Sequence, residues 1–335
     1  MESAPRYRQW SHRRCTPLRK TSRRPSIPLM RILGLLIALP LLAACASGSR
    51  NVGDTFTDCQ DCPEMVVVPT GQFDMGAPMD EVDRGSDEGP VRRVTIAKPF
   101  AIGKYEVTRK QFAVFVNETG HWGNARCLIW NGTQLAFEDA NSWLDPDYEV
   151  SDNHPMVCVS WWDAVAYADW LTGKTGHTYR LPAETEWEYA VRGGTQSAYS
   201  FPGGADDACD YANVSDISAK ADVPQWNAVN CDDGVGFGTA AVGSYLPNGF
   251  GLHDTIGNVW EWQADCYRDS FAGAPTDGTA WGDGGLCNAV LDRGGGFSNI
   301  FPGHLRAANR SKAPSPHIAV YSLGFRLVRE LEPIQ

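Results

Sequence analysis

The cysteines and histidines are the side chains of this sequence whose types and spacing offer the most chemistry. Cys59 and Cys62 stand in Cys-x-x-Cys spacing, which elsewhere makes a redox dithiol or half of a zinc site. No second Cys-x-x-Cys accompanies them, so a structural pair is expected. Outside the N-terminal region the histidines are His121, His154, His177, His253, His304 and His317. None of them forms the two-His spacing on a helix that makes a metal site compelling. Of the 10 cysteines, Cys15 and Cys45 belong to the N-terminal region. The others are Cys59, Cys62, Cys127, Cys158, Cys209, Cys231, Cys266 and Cys287, an even set that points to disulfides in an oxidising compartment. Sequence alone leaves connectivity open, but pairing 127 with 158, 209 with 231 and 266 with 287 would close three long loops, and we expect it.

Cys45 has a different context. Arg31 precedes an apolar run from Ile32 to Leu42, broken only by Pro40, which enters Leu42-Ala43-Ala44-Cys45. Charge, apolar stretch and small residues follow each other as in an export signal, and the run is too short to span a bilayer. Leu-Ala-Ala-Cys resembles the lipobox of bacterial lipoproteins, which implies cleavage before Cys45 and acylation of its thiol. Residues 1–45 are therefore read as a signal region, complete from Met30, and residues 46–63 as a flexible tether. Upstream of Met30, Arg13-Arg14 and Arg23-Arg24 fit either a twin-arginine leader or a start codon placed too early. Both readings lead to the cell envelope, with a lipid anchor at the outer membrane or a periplasmic face; Ala46 after the cysteine favours the outer membrane.

Nine of the 29 basic residues and one of the 40 acidic residues precede Cys45, leaving 20 against 39. So acidic a chain argues against nucleic acid, whose affinity for proteins comes largely from Lys and Arg on phosphates. It suits cation binding or a well-solvated exported domain.

The elements that must position these side chains are sparse. With 34 glycines, 21 prolines and 12 tryptophans, the remaining chain reads as one large loop-rich α+β domain over 64–330, pinned by aromatics. Strands are expected at Glu64 to Pro69 and Val91 to Ile96, and shorter ones near Val290 to Phe297 and Gly324 to Val328. Helical spacing runs from Thr108 to Thr119, with Phe112, Phe115 and Val116 on one side. Ser160 should cap a helix through Leu171 that buries Trp161, Val165, Ala168 and Leu171 and ends at Gly173 and Gly176. A further helix should start at Pro182 and run to about Arg192.

Taken together, Met65-Val-Val-Val-Pro, Lys104-Tyr-Glu-Val-Thr, Val159-Ser-Trp-Trp-Asp-Ala, Tyr179-Arg-Leu-Pro-Ala-Glu-Thr-Glu-Trp-Glu-Tyr-Ala, Asn248-Gly-Phe-Gly-Leu, Gly257-Asn-Val-Trp-Glu-Trp, Arg293-Gly-Gly and Leu323-Gly-Phe-Arg resemble the sulfatase-modifying-factor, or formylglycine-generating-enzyme, family. The resemblance spans Glu64 to Arg329 and implies a variant of the C-type-lectin-like fold, low in regular structure. It also implies structural calcium. One set of ligands would be Asp254, the backbone oxygens of Gly257 and Val259, and Glu261; a second would be Asn213, Val214, Asp233 and Val235, with Asp232 an alternative to Asp233. Hard oxygens converging from a turning loop suit Ca²⁺.

The same resemblance implies a missing chemistry. Formylglycine-generating enzymes continue from Arg-Gly-Gly with a serine and then two cysteines whose thiolates bind copper. Here Gly296 replaces the serine, and no cysteine follows Cys287. Soft thiolates hold Cu(I), and a single histidine with Asn or Ser does not replace them, so formylglycine generation and a copper or iron cofactor are not expected. Relatives in ergothioneine synthesis and pyoverdine maturation keep open an extracytoplasmic oxidase without that pair, for which His304 and His317 are the catalytic candidates. The expectation adopted is instead a calcium-stabilised module for a protein or glycan ligand. Its surface would lie within Ser298 to Ser322, with Asn299, Phe301, His304, His317 and Tyr321 touching the ligand. Retroelement-diversified binding proteins resemble this layout as well.

Overall fold

A computed structural model describes residues 50–123, 126–137, 142–298 and 301–331. The signal region with Cys45, and Asn299 of the expected ligand surface, lie outside the described residues.

The sheet nearest the chain's beginning contains β1 (Thr55–Phe56), β2 (Met65–Val68), β5 (Phe100–Gly103), β8 (Tyr179–Arg180) and β14 (Val328–Glu330), in the order β1-β2-β5-β14-β8. All residues of β2 and β5 are buried, as their unbroken apolar sequences require of strands covered on both faces. A two-stranded ribbon, β3 (Gly71–Met75) with β4 (Arg92–Ile96), alternates buried and less buried positions. The sheet that carries the site orders β11 (Ser311–Ala313), β10 (Val290–Arg293), β9 (Trp260–Cys266) and β13 (Leu323–Gly324). A third sheet orders β12 (Ala319–Val320), β6 (Cys127–Trp130) and β7 (Leu135–Phe137).

Three α-helices stand among the described residues. Helix α1 (Arg109–Thr119) opens with a reciprocal cap between Thr108 and Gln111 and closes at Gly120. Helix α2 (Trp161–Thr175) opens with Ser160 and Asp163 in the same arrangement. It runs through Gly173 and ends only at Gly176, whose left-handed φ of 75° lets its N–H reach Thr172 O. Its buried stripe includes Ala164 and Tyr167, and Val165 is only half-buried. Helix α3 (Glu184–Arg192) begins two residues after Pro182, because the backbone is still extended at Ala183, whose N–H donates to Glu186.

The expected tether is partly folded. Thr55 and Phe56 pair with Val66 and Met65, and Asp58 accepts hydrogen bonds from Tyr179 and Arg329. Strand pairing and a buried carboxylate thus draw residues before Glu64 into the domain. The disulfides are Cys59–Cys62, Cys127–Cys158, Cys209–Cys231 and Cys266–Cys287, the sequential pairing expected. The core is aromatic: Phe112 stacks on Tyr167 and meets Phe115 and Phe325 edge-on.

Candidate functional site

The loop before β9 turns sharply, with left-handed φ at Asp254 (51°), Gly257 (68°) and Asn258 (52°). Glycine is required at 257, since a Cβ there would stand 2.3 Å from Asn213 O. That close approach lets Asn258 N donate to Asn213 O at 2.7 Å. The Asn258 side chain then acts as a hub: its Nδ2 donates to Glu106 Oε1 at 3.1 Å, and its Oδ1 accepts from Ala240 N at 2.9 Å and Asn213 Nδ2 at 3.3 Å.

These bonds leave hard oxygens without donors. Asp254 Oδ2 accepts from Gly243 N at 2.6 Å, but when both acids are ionised the buried Asp254 Oδ1 and Glu106 Oε2 have no donor among the described residues, nor does Asn213 Oδ1; the two carboxyl groups can satisfy each other only by sharing a proton. Burial raises the pKa of Asp254 and of Glu106; the Asp254 charge raises Glu106 further, whereas a hydrogen bond with the Glu106 carboxyl group lowers Asp254. Orphaned buried acceptors require a partner, and a hard cation is one that the two carboxyl groups could share. The chemistry of the donor set therefore fits calcium. Glu261 is differently placed from Asp254: its carboxylate is taken up by Arg326 and by Trp187 Nε1 at 2.7 Å.

The second set also comes together. Asp233 Oδ2 accepts from Val214 N at 2.7 Å and Oδ1 from Val235 N at 2.9 Å, while Asp233 N donates to Asp216. Burial pushes the Asp233 carboxyl up to about 6. One ligand-capable atom each of Cys209, Asp216 and Asp233 lies within 4.8 Å of the others, although Cys209 is bonded to Cys231 and offers no thiolate. Asp232 accepts only from Gly234 N nearby and is exposed, so Asp233 is the acid the fold brings to Val214. Sequence reasoning missed Glu106 and Asp216; Glu106 was visible within Lys104-Tyr-Glu-Val-Thr.

The expected ligand surface does not form one face. Tyr321 is 3% exposed and its ring packs with Tyr148, Phe237 and Phe297, at the start of a stretch, 321–329, that is buried throughout. His317 is exposed and lies 6.4 Å from the Trp162 ring. His304 is half-buried between Trp260 and Phe301, at 5.6 and 5.4 Å. Burial and the neighbouring Arg306 hold its pKa down, and its Nδ1 has no partner among the described residues. The two histidines meet different aromatic neighbours and form no pair. Phe301 is 51% exposed.

A cavity of about 430 Å³ opens beside this region. The end of β6 supplies Ile129 and Trp130, the next turn Asn131 and Gly132, and later loops Asp147, Asp222, Val223 and Phe237. Phe237 carries the cavity wall against Phe297 at 5.5 Å, so the cavity abuts the segment that follows Arg293-Gly-Gly. Sequence offered no signal for it, since its walls come from four separate stretches.

Together the sparse helices, four small sheets and crossing loops define a C-type-lectin-like α+β domain of the formylglycine-generating-enzyme type. Residues 51–331 match the sulfatase-modifying factor enzyme 1-like domain, and the chain belongs to that family. It is 36% identical over 231 residues to a formylglycine-generating enzyme of Thermomonospora curvata, covering 60% of this chain and 71% of that protein. It is 35% identical over 234 residues to the inactive C-alpha-formylglycine-generating enzyme 2 of Bos taurus, covering 61% and 71%. The structure of PvdO from Pseudomonas aeruginosa is similar with a TM-score of 0.72 at 38% identity, covering 84% of this chain and 100% of that one.

Proposed function

We propose that this chain is an exported, lipid-anchored member of the family that binds a ligand, is stabilised by calcium and does not generate formylglycine. The observation that carries the reading is the fate of its thiols. All eight cysteines of the described residues are joined in disulfides, and the segment after Arg293 holds His304 and aromatic side chains instead. A disulfide sulfur is neither a nucleophile nor a Cu(I) ligand of useful strength. The family also contains a protein described as inactive, which agrees with a fold kept for binding. Calcium would be held by Asp254 with the backbone oxygens of Gly257 and Val259, joined by Glu106, and by Asp233 with Asn213 and the backbone of Val214 and Val235. The ion would supply charge neutralisation and loop rigidity. The ligand, protein or glycan, would enter at the aromatic cavity and the exposed Phe301 edge.

Elemental analysis of the full chain purified in detergent tests this. Calcium without copper or iron, and no conversion of a cysteine-containing sulfatase-type peptide, are expected. A second reading, an oxidase with a metal site that uses no cysteine, draws on His304, a half-buried ring whose pKa burial holds down and whose Nδ1 has no partner among the described residues. Near-stoichiometric copper or iron that is lost on His304→Ala would establish it and overturn the first.

A further inference from the structure

We infer that the cavity between β6 and the 222–237 loop takes a compact organic cation, an ammonium or guanidinium group carried on an apolar body. This rests on the ligand-binding reading above and names its ligand class. Two carboxylates, Asp147 and Asp222, stand among the lining residues, and no Lys, Arg or His does. The apolar walls are Trp130, Phe237, Ile129 and Val223. A cation set between carboxylates and aromatic surfaces gains both ion pairing and attraction to the π-faces. A neutral or anionic guest of the same shape gains neither.

The walls are fixed before any ligand arrives. Trp130 meets Trp226 edge-on at 5.6 Å, Trp226 lies 5.7 Å from Phe237, and Phe237 stacks on Tyr321 at 5.9 Å. The disulfide from Cys127 in β6 ties the first wall to Cys158. Gln225 Nε2 donates to Gly132 O at 3.3 Å and joins the two rims. Asp222 Oδ2 accepts from Phe237 N at 3.3 Å, which orients its carboxylate and leaves its other oxygen for a ligand. Such a rigid, charged aromatic pocket favours preorganised recognition over induced closure.

The test compares three probes of one skeleton, phenethylamine, 2-phenylethanol and phenylacetate, by calorimetry and tryptophan fluorescence on the full chain. Phenethylamine should bind at least about tenfold more tightly than 2-phenylethanol, and phenylacetate more weakly than both. Asp147→Asn should weaken phenethylamine several-fold and leave 2-phenylethanol unchanged. Asn suits the left-handed φ of 76° at that position, so the variant should fold, and a circular dichroism melt identical to the parent verifies it. Asp222→Asn provides the second variant with the same expected pattern. Because both carboxylates are exposed, raising salt should reduce phenethylamine affinity and spare the alcohol. Equal affinity for all three probes, or tightest binding of phenylacetate, overturns the cation inference while leaving a ligand pocket in place. Binding of none of them overturns the cavity as a site for an organic cation and leaves the protein- or glycan-binding reading to its own test.

Discussion

Arg326 and Glu261 face each other inside the protein, with Arg326 Nε donating to both carboxylate oxygens at 2.8 Å and neither side chain more than 1% exposed. The same guanidinium donates to Gly103 O at 3.0 Å and to Asp254 O at 2.8 Å. It therefore ties the end of β5 to the turning loop before β9. Removing one member of a buried ion pair leaves the other charged and unpaired, at about 3–5 kcal/mol. Arg326→Met should lower the unfolding free energy by that amount in a chemical denaturation. Equal stability of the variant would show that the pair only fixes loop geometry.

Asp292, in the middle of β10, is buried and its carboxyl is pushed up to about 7, with Ser311 its hydrogen-bonding partner. An aspartate in the unfolded chain titrates near about 3.9. The folded state thus binds the proton more tightly, so this group's contribution is fully present below the unfolded value. It is lost as pH rises from about 4 through 7, at about 1.4 kcal/mol for each pH unit of separation. Asp292→Asn should gain stability relative to the parent as pH rises from about 4 to about 7 and hold that gain above it. A stability difference that stays flat across this range refutes the shifted titration.

Gly257→Ala should be severely destabilising. The left-handed conformation alone costs a side-chain residue about 1–2 kcal/mol. The added Cβ would also stand 2.3 Å from Asn213 O and 2.9 Å from Ala212 Cβ, so the two calcium-candidate loops would have to separate. A melting temperature within a few degrees of the parent would show that the loops can part freely. Alanine at Gly251, also at positive φ but with open space around it, provides the control for the conformational cost alone.

Local chemistry was readable where one stretch of sequence contains all the partners. Thr108 with Gln111 and Ser160 with Asp163 announce their helices because each cap closes on itself within a turn. The sequential disulfides follow the same logic, since long loops between neighbouring cysteines have few other closures. Contacts between motifs were not readable. Glu106 lies in one motif and Asp254 in another, and nothing in either spacing places their carboxyls together. Tyr321 looked like an exposed ligand contact because its neighbours are mixed in type, yet the cluster with Tyr148, Phe237 and Phe297 draws it inward. The cavity walls at Trp130, Asp147, Asp222 and Phe237 meet only through the tertiary fold.

The buried carboxyl groups of Glu106 and Asp254 admit two ways of satisfying their unpartnered oxygens, a shared proton or a cation. Calcium binding to the folded state alone raises stability by mass action, about 2.7 kcal/mol at a hundredfold excess over the dissociation constant. The parent chain should therefore melt higher in calcium than in a chelator, and Asp233→Ala should retain only part of that difference. Glu106→Gln separates the two cases because the amide keeps the shape, still accepts from Asn258 Nδ2, and carries no charge. With a cation between the carboxyls, the calcium-dependent rise of the Gln variant should shrink, and should vanish in combination with Asp233→Ala. An unchanged calcium response with equal or higher stability in chelator would assign the pair to a shared proton and leave the Asp233 loop as the single calcium site.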